Sequence, residues 1–418
     1  MKYIKYCAAS VLALLAADAA FAATTIKITG STAYRKATTA AIINSLDTAA
    51  NPVTGAVAPQ AAADAADISS ATRAVITGTL KSTHEPVVIQ TAWAGSVGGV
   101  ATLDGNLETI PGVTFVKERT WLKPSLANQG ITVNASYAFS ARTGSALLSA
   151  TTLDDAPLAS TFFDDAATAD VAMSDTFQPS TDFNATELTD TTVGVVTFAW
   201  TKGKLPAGAD AALTAAYARL TNIASAQAVS LLANGDLPLS MLTGNALDEA
   251  YLVVLIGRNN DSGTRLTAFA ESGFGISSPT IHYKVDIATG LLTVVGTTDG
   301  YSSSSEVKTA LNTALPSSAK LRGKNYILVS YTGTGTVTSQ QLTHNGVTFS
   351  TAATAEGQYT FWGYEHILTR GNLTGAAAQF VTDVTDQLTN TDAVANGVLL
   401  STMQVGRTSD GGQINSNL

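Results

Sequence analysis

The sequence has little cysteine, little charge and few histidines, and each shortage excludes a class of protein. Its single cysteine, Cys7, lies near the start, so the rest of the chain has no thiol for a disulfide or a cysteine-based metal site. Charged residues make up 13% of the chain, against about a quarter in an average protein, and the net charge of −9 disfavours nucleic acid and anionic lipid as partners. The pairs His84-Glu85 and Glu365-His366 lack the helical spacing of a zinc site, so we expect neither a metal nor another cofactor.

Long apolar runs are also missing, and the longest candidate lies at the N-terminus. Lys2 and Lys5 precede an apolar stretch over residues 8–17, and Ala20-Phe21-Ala22 follows as a small-x-small cleavage site. This layout predicts a secretory signal peptide over residues 1–22. The stretch is too short to span a bilayer, so we expect no membrane insertion of the mature chain. Export to the periplasm and export to the cell exterior both remain open.

The remainder of the chain has the pattern of packed α/β domains. Hydrophobic residues make up 45% of the sequence, and the chain is long enough for two domains. Apolar segments typical of buried strands alternate with helical stretches, which predicts mixed sheets flanked by helices. The segment 281–296 alternates around a turn and predicts a β-hairpin, whereas 220–233 is expected to be helical. The apolar segments near 193–200 and 359–368 are expected to be the strands at which the chain crosses from one domain to the other and returns.

Four of the predicted strands end in loops rich in glycine and hydroxyl side chains. These are TGST at 29–32, AGSVGG at 94–99, SD at 174–175 and RNNDSGT at 258–264. Backbone N–H groups at a helix N-terminus favour an anion, and glycine or serine lets the anion approach closely. Each loop alone is also explained as an ordinary helix cap or glycine turn. Four of them in one chain, with an arginine and an aspartate, indicate an oxyanion site.

The order of these motifs resembles that of the phosphate-binding periplasmic solute-binding proteins of ABC transporters, which belong to the type II periplasmic-binding-protein superfamily. The resemblance implies a two-lobed fold with a two-strand hinge and a ligand in the interlobe cleft. Together with the crossing strands, it predicts lobe one over 23–198 plus 362–418 and lobe two over 199–361. It also implies phosphate or a related oxyanion as the ligand, an ABC-transporter permease as a partner, a monomer and no enzymatic activity.

The resemblance assigns the ligand-binding residues motif by motif. Lobe one would supply Ser31, Thr32, Ser96 and Asp175. Lobe two would supply Arg258, Ser262, Gly263 and Thr264. In this reading Asp175 accepts a hydrogen bond from a protonated ligand and therefore disfavours sulfate, which carries no proton at neutral pH.

Several positions depart from the family pattern. Ala33-Tyr34 stands where the family usually has Thr-Phe or Thr-Val, which removes one possible hydroxyl contact. Asn260 stands where an aspartate is usual, with Asp261 one place later, so Arg258 is expected to be held differently. Three segments, 48–80, 122–160 and 281–300, lengthen the chain relative to typical members. These departures leave the identity of the anion open among phosphate, arsenate and related ions.

Two other functions remain open at this stage. A secreted surface or structural protein could retain the binding fold without a ligand. A serine hydrolase could use Ser96, which lies in a near match to the G-x-S-x-G motif, with His282, His344 or His366 downstream. The anion-loop pattern already accounts for Ser96, so hydrolysis is the least favoured of the three functions.

Overall fold

A computed structural model describes residues 22–47, 53–59, 71–93, 95–104, 121–124, 168–297, 299–338, 340–390 and 397–416. The predicted signal peptide, except for Ala22, and most of the 122–160 segment lie outside these residues. In the part described, no helix is long and apolar enough to cross a membrane.

The first half of the chain forms one sheet region and two helices. Its elements are β1 (Thr24–Gly30), α1 (Arg35–Asn44), β2 (Thr54–Pro59), β3 (Ala71–Thr79), β4 (Pro86–Ala92), α2 (Ser96–Asp104), β5 (Val171–Ser174) and β6 (Thr189–Lys202). The next elements are α3 (Ala211–Arg219), β7 (Asn222–Ile223), α4 (Ser225–Asn234), β8 (Asp236–Pro238), α5 (Ser240–Thr243), β9 (Tyr251–Leu255) and α6 (Gly263–Ser272).

The remaining elements complete this sheet and add small ones. They are β10 (His282–Val285), β11 (Leu292–Val295), α7 (Ser304–Asn312), β12 (Asn325–Gly333), β13 (Thr343–His344), α8 (Thr351–Ala355), β14 (Trp362–Thr369), α9 (Gly375–Asn390), β15 (Gly397–Val398), β16 (Val405–Gly406) and β17 (Asn415–Ser416). Short 3-10 helices cover Gln178–Ser180, Ala246–Ala250 and Leu400–Thr402.

The main sheet is mixed, in the order β2-β3-β4-β1-β5-β14-β6-β12-β9-β8, with β15 also paired to β6. Strand β1 is parallel to both β4 and β5, and β12 is parallel to β9. The predicted α/β class, with a mixed sheet and flanking helices, is confirmed. The sequence suggested separate sheets, but one long strand, β6, joins them into a single sheet.

Strand β6 changes partners along its length. Residues 189–197 pair with β14, and residues 198–202 pair with β12. Strand β6 contains the apolar segment 193–200, and β14 covers most of the apolar segment 359–368. That the chain crosses between two lobes at these strands stays a prediction, as does the assignment of the flanking residues to the two lobes.

Helices cover both faces of the sheet because successive side chains of a strand point to opposite sides. Val171 and Met173 belong to the core cluster that contains α1 and α9, whereas Ala172 belongs to the cluster that contains α2. The same alternation in β9 sends Val253 toward α4 and α6 and Val254 toward α7. Burial of apolar side chains at about 25 cal/mol per Å² is the main stabilising contribution to such cores.

Local predictions were confirmed at some elements and wrong at others. The hairpin over 281–296 is present as β10 and β11. The predicted helix over 220–233 is wrong at its start: Asn222 and Ile223 pair with β13, and α4 begins only at Ser225. The segment 48–80 contributes β2 and β3, which extend the sheet beyond β4.

The C-terminal segment contacts several parts of the molecule. Strand β15 pairs with β6, and the Asp410 carboxylate accepts a hydrogen bond from the Phe177 backbone at 3.0 Å. Arg407 donates to Glu271 of α6 at 3.0 Å and to the Thr360 carbonyl at 2.7 Å. This segment therefore joins α6 to the strands that cross the molecule.

Candidate functional site

Parallel pairing brings three of the predicted loops to one edge of the sheet. Strands β4, β1 and β5 lie side by side and run in the same direction, so their carboxyl ends meet. Ser31 follows β1, Ser96 follows β4 and Asp175 follows β5. The Ser31 backbone N–H donates to the Met173 carbonyl at 2.8 Å, which attaches the first loop to the end of β5.

Ser96 and Asp175 form the centre of this cluster. The Ser96 hydroxyl donates a short hydrogen bond to Asp175 Oδ1, and the Asp175 backbone N–H donates to Ser96 Oγ at 3.2 Å. Both side chains are buried, with at most 1% of either residue exposed. Two residues that are 79 positions apart in the sequence are thus held by reciprocal bonds.

The Ser-Gly-Thr segment meets this pair at the start of α6. A Cβ atom on Gly263 would lie 1.6 Å from Asp175 Oδ1 and 2.8 Å from Ser96 Cβ. Only glycine therefore fits between the carboxylate and the first turn of the helix. Ser262 caps α6 by accepting from the Arg265 N–H at 3.3 Å, and Thr264 is buried in the first turn.

The loop before α6 also touches the start of α2. The Asp261 carbonyl accepts from the Val97 N–H at 3.0 Å and from the Gly98 N–H at 3.4 Å. The glycine-rich segment 94–99 predicts a turn, but α2 already begins at Ser96. Glycine is needed there for packing, because a Cβ on Gly99 would lie 2.8 Å from the Gly30 Cα atom.

Arg258 is buried and is held by neutral groups. Its Nε donates to the Tyr301 carbonyl at 3.1 Å, Nη2 to the Ser302 carbonyl at 3.0 Å, and Nη1 to the Ser304 hydroxyl at 3.0 Å. Burial lowers the pKa of Arg258, and the nearby charge of Asp175 acts in the opposite direction. Within the described residues no carboxylate lies within salt-bridge distance of this guanidinium.

Burial also controls the carboxyl of Asp175. It raises the pKa of Asp175, while the hydrogen bond from Ser96 and the charge of Arg258 lower it. Strongly perturbed pKa values cluster at functional sites, so the raised pKa of Asp175 supports its place in the candidate site.

Glu365 is a second buried carboxyl that the sequence analysis missed as a site residue. It lies in β14, is 0% exposed, and neither of its oxygens has a hydrogen-bond partner of good geometry. Burial, and secondarily the charge of Asp175, raise the pKa of Glu365 well above its usual value, while the Ser31 hydroxyl lowers it. A glutamate inside an apolar strand could have indicated a buried site carboxyl, but Glu365 was considered only as a metal ligand beside His366.

Tyr34 lies next to Glu365. Its hydroxyl occupies the space over Gly194, where a Cβ would be 2.1 Å from that oxygen, and Gly194 is the β6 partner of Glu365. Burial, with a smaller contribution from Glu365, raises the pKa of the Tyr34 phenol. The Tyr34 backbone N–H donates to Ser31 Oγ at 3.2 Å, which connects this group to the first loop.

The structure brings together most of the predicted residues, but not all of them in the same way. Ser96, Asp175 and Gly263 are in direct contact, and Ser31, Ser262 and Thr264 are buried around them. Arg258 acts on Asp175 by charge while its hydrogen bonds go to residues 301–304. Thr32 is half-buried and lines a neighbouring cavity at the start of α1.

The hydrogen bonds of Ser96 bear on the hydrolase alternative. A serine nucleophile needs a histidine within hydrogen-bond distance, but Ser96 donates to Asp175. His282 bonds to the Asp299 carbonyl at 2.7 Å, and His366 bonds to Asp190 at 2.8 Å. Among the residues described, no group of three or more His, Cys, Asp or Glu side chains could hold a metal ion.

Comparisons with known proteins identify similar structures but no sequence relative. No protein-family model matches the chain, and no curated protein matches its sequence. A Clostridium perfringens protein, described as a candidate phosphate ABC transporter substrate-binding protein with bound phosphate, is 11% identical over 90% of this chain and 100% of its own, with a TM-score of 0.46. An ABC-type phosphate transport receptor from Vibrio cholerae is 13% identical over 86% of this chain and 93% of its own, with a TM-score of 0.41.

A phosphate-binding protein from Stenotrophomonas maltophilia is 13% identical over 88% of this chain and 83% of its own, with a TM-score of 0.35. The phosphate named for these three proteins is their ligand.

Proposed function

We propose that this chain is an exported receptor that binds phosphate or a similar tetrahedral oxyanion, and that it is not an enzyme. The observation that carries the proposal is the convergence of three separate chain segments on Asp175. Ser96 donates to its carboxylate, Gly263 leaves space for it, and Arg258 places a buried positive charge near it. The Ser31 loop is attached to the same strand end.

The chemistry of the cluster suits an anion that retains a proton. Arg258 supplies a countercharge whose present partners are neutral, and the first turn of α6 offers backbone N–H groups. Asp175 would accept the O–H of hydrogen phosphate. Sulfate lacks that proton and would face an unpaired, repelling carboxylate.

The proposal also includes export and transport. The charged and apolar pattern of residues 1–22 supports secretion, and the loop motifs support a role in delivering the anion to an ABC-transporter permease. We propose that the receptor acts as a monomer.

One observation favours a second function, a secreted structural protein that keeps this fold without a ligand. Several donors that an anion would need are already bonded within the protein. Ser96 donates to Asp175, and the first N–H groups of α2 donate to the Asp261 carbonyl. Anion binding has to replace these contacts, whereas a purely structural protein would keep them permanently.

Titration calorimetry separates the two functions. On refolded, ligand-free protein we expect phosphate to bind and sulfate to bind more weakly. Arg258→Ala should weaken both anions by about 2–5 kcal/mol, because it removes the desolvated countercharge. Asp175→Asn should improve sulfate relative to phosphate, because it removes the repulsion.

Arg322→Ala is the matched control, since Arg322 is exposed and pairs with Asp236 far from the cluster. No binding of phosphate, arsenate or sulfate to the unmodified protein would favour the structural function. If Asp175→Asn weakens the affinity for phosphate and for sulfate equally, Asp175 only shapes the loop.

A further inference from the structure

A polar cavity adjoins the proposed anion site. It has a volume of about 180 Å³ and lies between α1, β6, α7 and the loop after β12. This volume is far above the ~10–15 Å³ that a single water molecule requires. Its polar lining includes Thr32, Arg35, Lys36, Ser304, Lys308 and Thr336.

The charge of this cavity is opposite to that of the whole protein. Arg35, Lys36 and Lys308 line it, and none of the described lining residues is acidic, although the chain has a net charge of −9. Lys36 and Lys308 are exposed and make no ion pair within the described residues. Three cations around one concave surface favour an anionic occupant.

The cavity shares part of its wall with the site around Asp175. Ser304 lines the cavity, and its hydroxyl accepts the hydrogen bond from Arg258 Nη1 at 3.0 Å. Thr32 also lines it and directly follows Ser31. A ligand oxyanion near Arg258 would therefore lie next to this basic surface.

Ala33 lines the cavity and, because its side chain is small, leaves space where the cavity meets the site around Asp175. It is half-buried and carries only a methyl group at the point where the loop after β1 meets α1. A substituent on the bound oxyanion could extend past this small residue toward Lys36 and Lys308.

We propose that the ligand carries two anionic groups, with one oxyanion in the Arg258–Asp175 site and the second group in the cavity between Lys36 and Lys308. The ligand class is a condensed phosphate or a phosphate ester with a second acidic group. This inference rests on the proposed function, because it assigns the first group to the same site.

The test compares inorganic phosphate and pyrophosphate by titration calorimetry in metal-free buffer. Unmodified protein should bind pyrophosphate at least about tenfold more tightly than phosphate, equal to ~1.4 kcal/mol, because charge-assisted hydrogen bonds contribute at least this much. Lys36→Gln and Lys308→Gln should each remove most of this difference while leaving phosphate affinity within about twofold. Both lysines are exposed, so the variants should retain their melting temperature.

Lys320→Gln is the matched control, because it makes the same charge change at an exposed lysine that does not line the cavity. Pyrophosphate binding no tighter than phosphate would overturn the inference while leaving the oxyanion receptor in place. Equal weakening of both anions in Lys308→Gln would overturn it as well, because that result indicates only general attraction at the cleft. If neither anion binds the unmodified protein, the proposed function itself fails.

Discussion

At the scale of single residues, Glu365 is the clearest departure from ordinary folding chemistry. Ionising a fully buried carboxyl costs several kcal/mol, and only the Ser31 hydroxyl favours the charged form of Glu365, so the native state holds its proton to a higher pH than usual. The charge of Asp175 acts on Glu365, and burial together with Glu365 raises the pKa of Tyr34. The next residue of β14, His366, bonds to Asp190.

This retained proton predicts how stability depends on pH. The unfolded chain releases the Glu365 proton at its ordinary pKa of about 4.3, whereas the native state holds it to higher pH. Over that interval the native state binds more protons, so the free energy of unfolding falls as pH rises, by at most ~1.4 kcal/mol per pH unit from this group. Glu365→Gln removes this contribution, so the variant should gain stability relative to the unmodified protein as pH increases.

Denaturant unfolding in phosphate-free buffer between pH 5 and about 8 measures the difference. Asp175 has a raised pKa, and burial raises the pKa of Asp410 to about 6, so both contribute a slope of the same sign that persists in the variant. Stability curves that run parallel for the two proteins would show that Glu365 is ionised in the native state.

At the scale of elements, the starts of α2 and α6 determine the site. The first residue of α2, Ser96, donates to Asp175, and the Asp261 carbonyl in the loop before α6 accepts from the first turn of α2. The strand ends place these loops at one edge, but the exact approach depends on glycine. Gly263 is the closest case because its position touches the carboxylate itself.

Gly263→Ala should therefore disturb both stability and the site. The added methyl group overlaps Asp175 Oδ1, and forced repacking of this kind costs ~1–3 kcal/mol. Gly296→Ala is the control, since a Cβ there has nothing within 4 Å. Denaturant unfolding compares the variants, and equal stability of the two would mean that Asp175 can move away without cost.

At the scale of the whole molecule, β6 connects the two parts of the main sheet, because its neighbours in the strand order are β14 and β12. The Trp200 ring of β6 packs against the rings of Tyr331 and Phe361, with centroid distances of 5.8 and 6.0 Å. This contact lies close to the point where the pairing partner of β6 changes from β14 to β12. The hydrophobic core continues through this region. The division into lobes 23–198 plus 362–418 and 199–361 remains a prediction.

If the two lobes exist as predicted, an anion that contacts both must favour the closed state. Small-angle scattering should show a smaller radius of gyration with phosphate than without it, because closure is a rigid-body rotation about the crossing strands. Phosphate at about a hundredfold excess over its dissociation constant should stabilise the folded state by ~2.7 kcal/mol and raise the melting temperature. Neither contraction nor a thermal shift at millimolar phosphate would argue for the structural function.

The sequence alone was sufficient for features that depend on local pattern. Apolar runs determined β4, β5, β6 and β9, alternation around a turn determined the hairpin, and serine or glycine after the strands located Ser31, Ser96 and Ser262. These predictions succeed because strand burial and helix capping act over a few neighbouring residues.

Only the tertiary structure decided the features that depend on distant residues. The pairing of Ser96 with Asp175, the space beside Gly263 and the partners of Arg258 each join segments far apart in the chain. Glu365 became a site residue only because β14 lies between β5 and β6, which places its carboxyl near Asp175. Sequence position carries no information about such proximity, because burial and charge interactions depend on distance in space and not on separation along the chain.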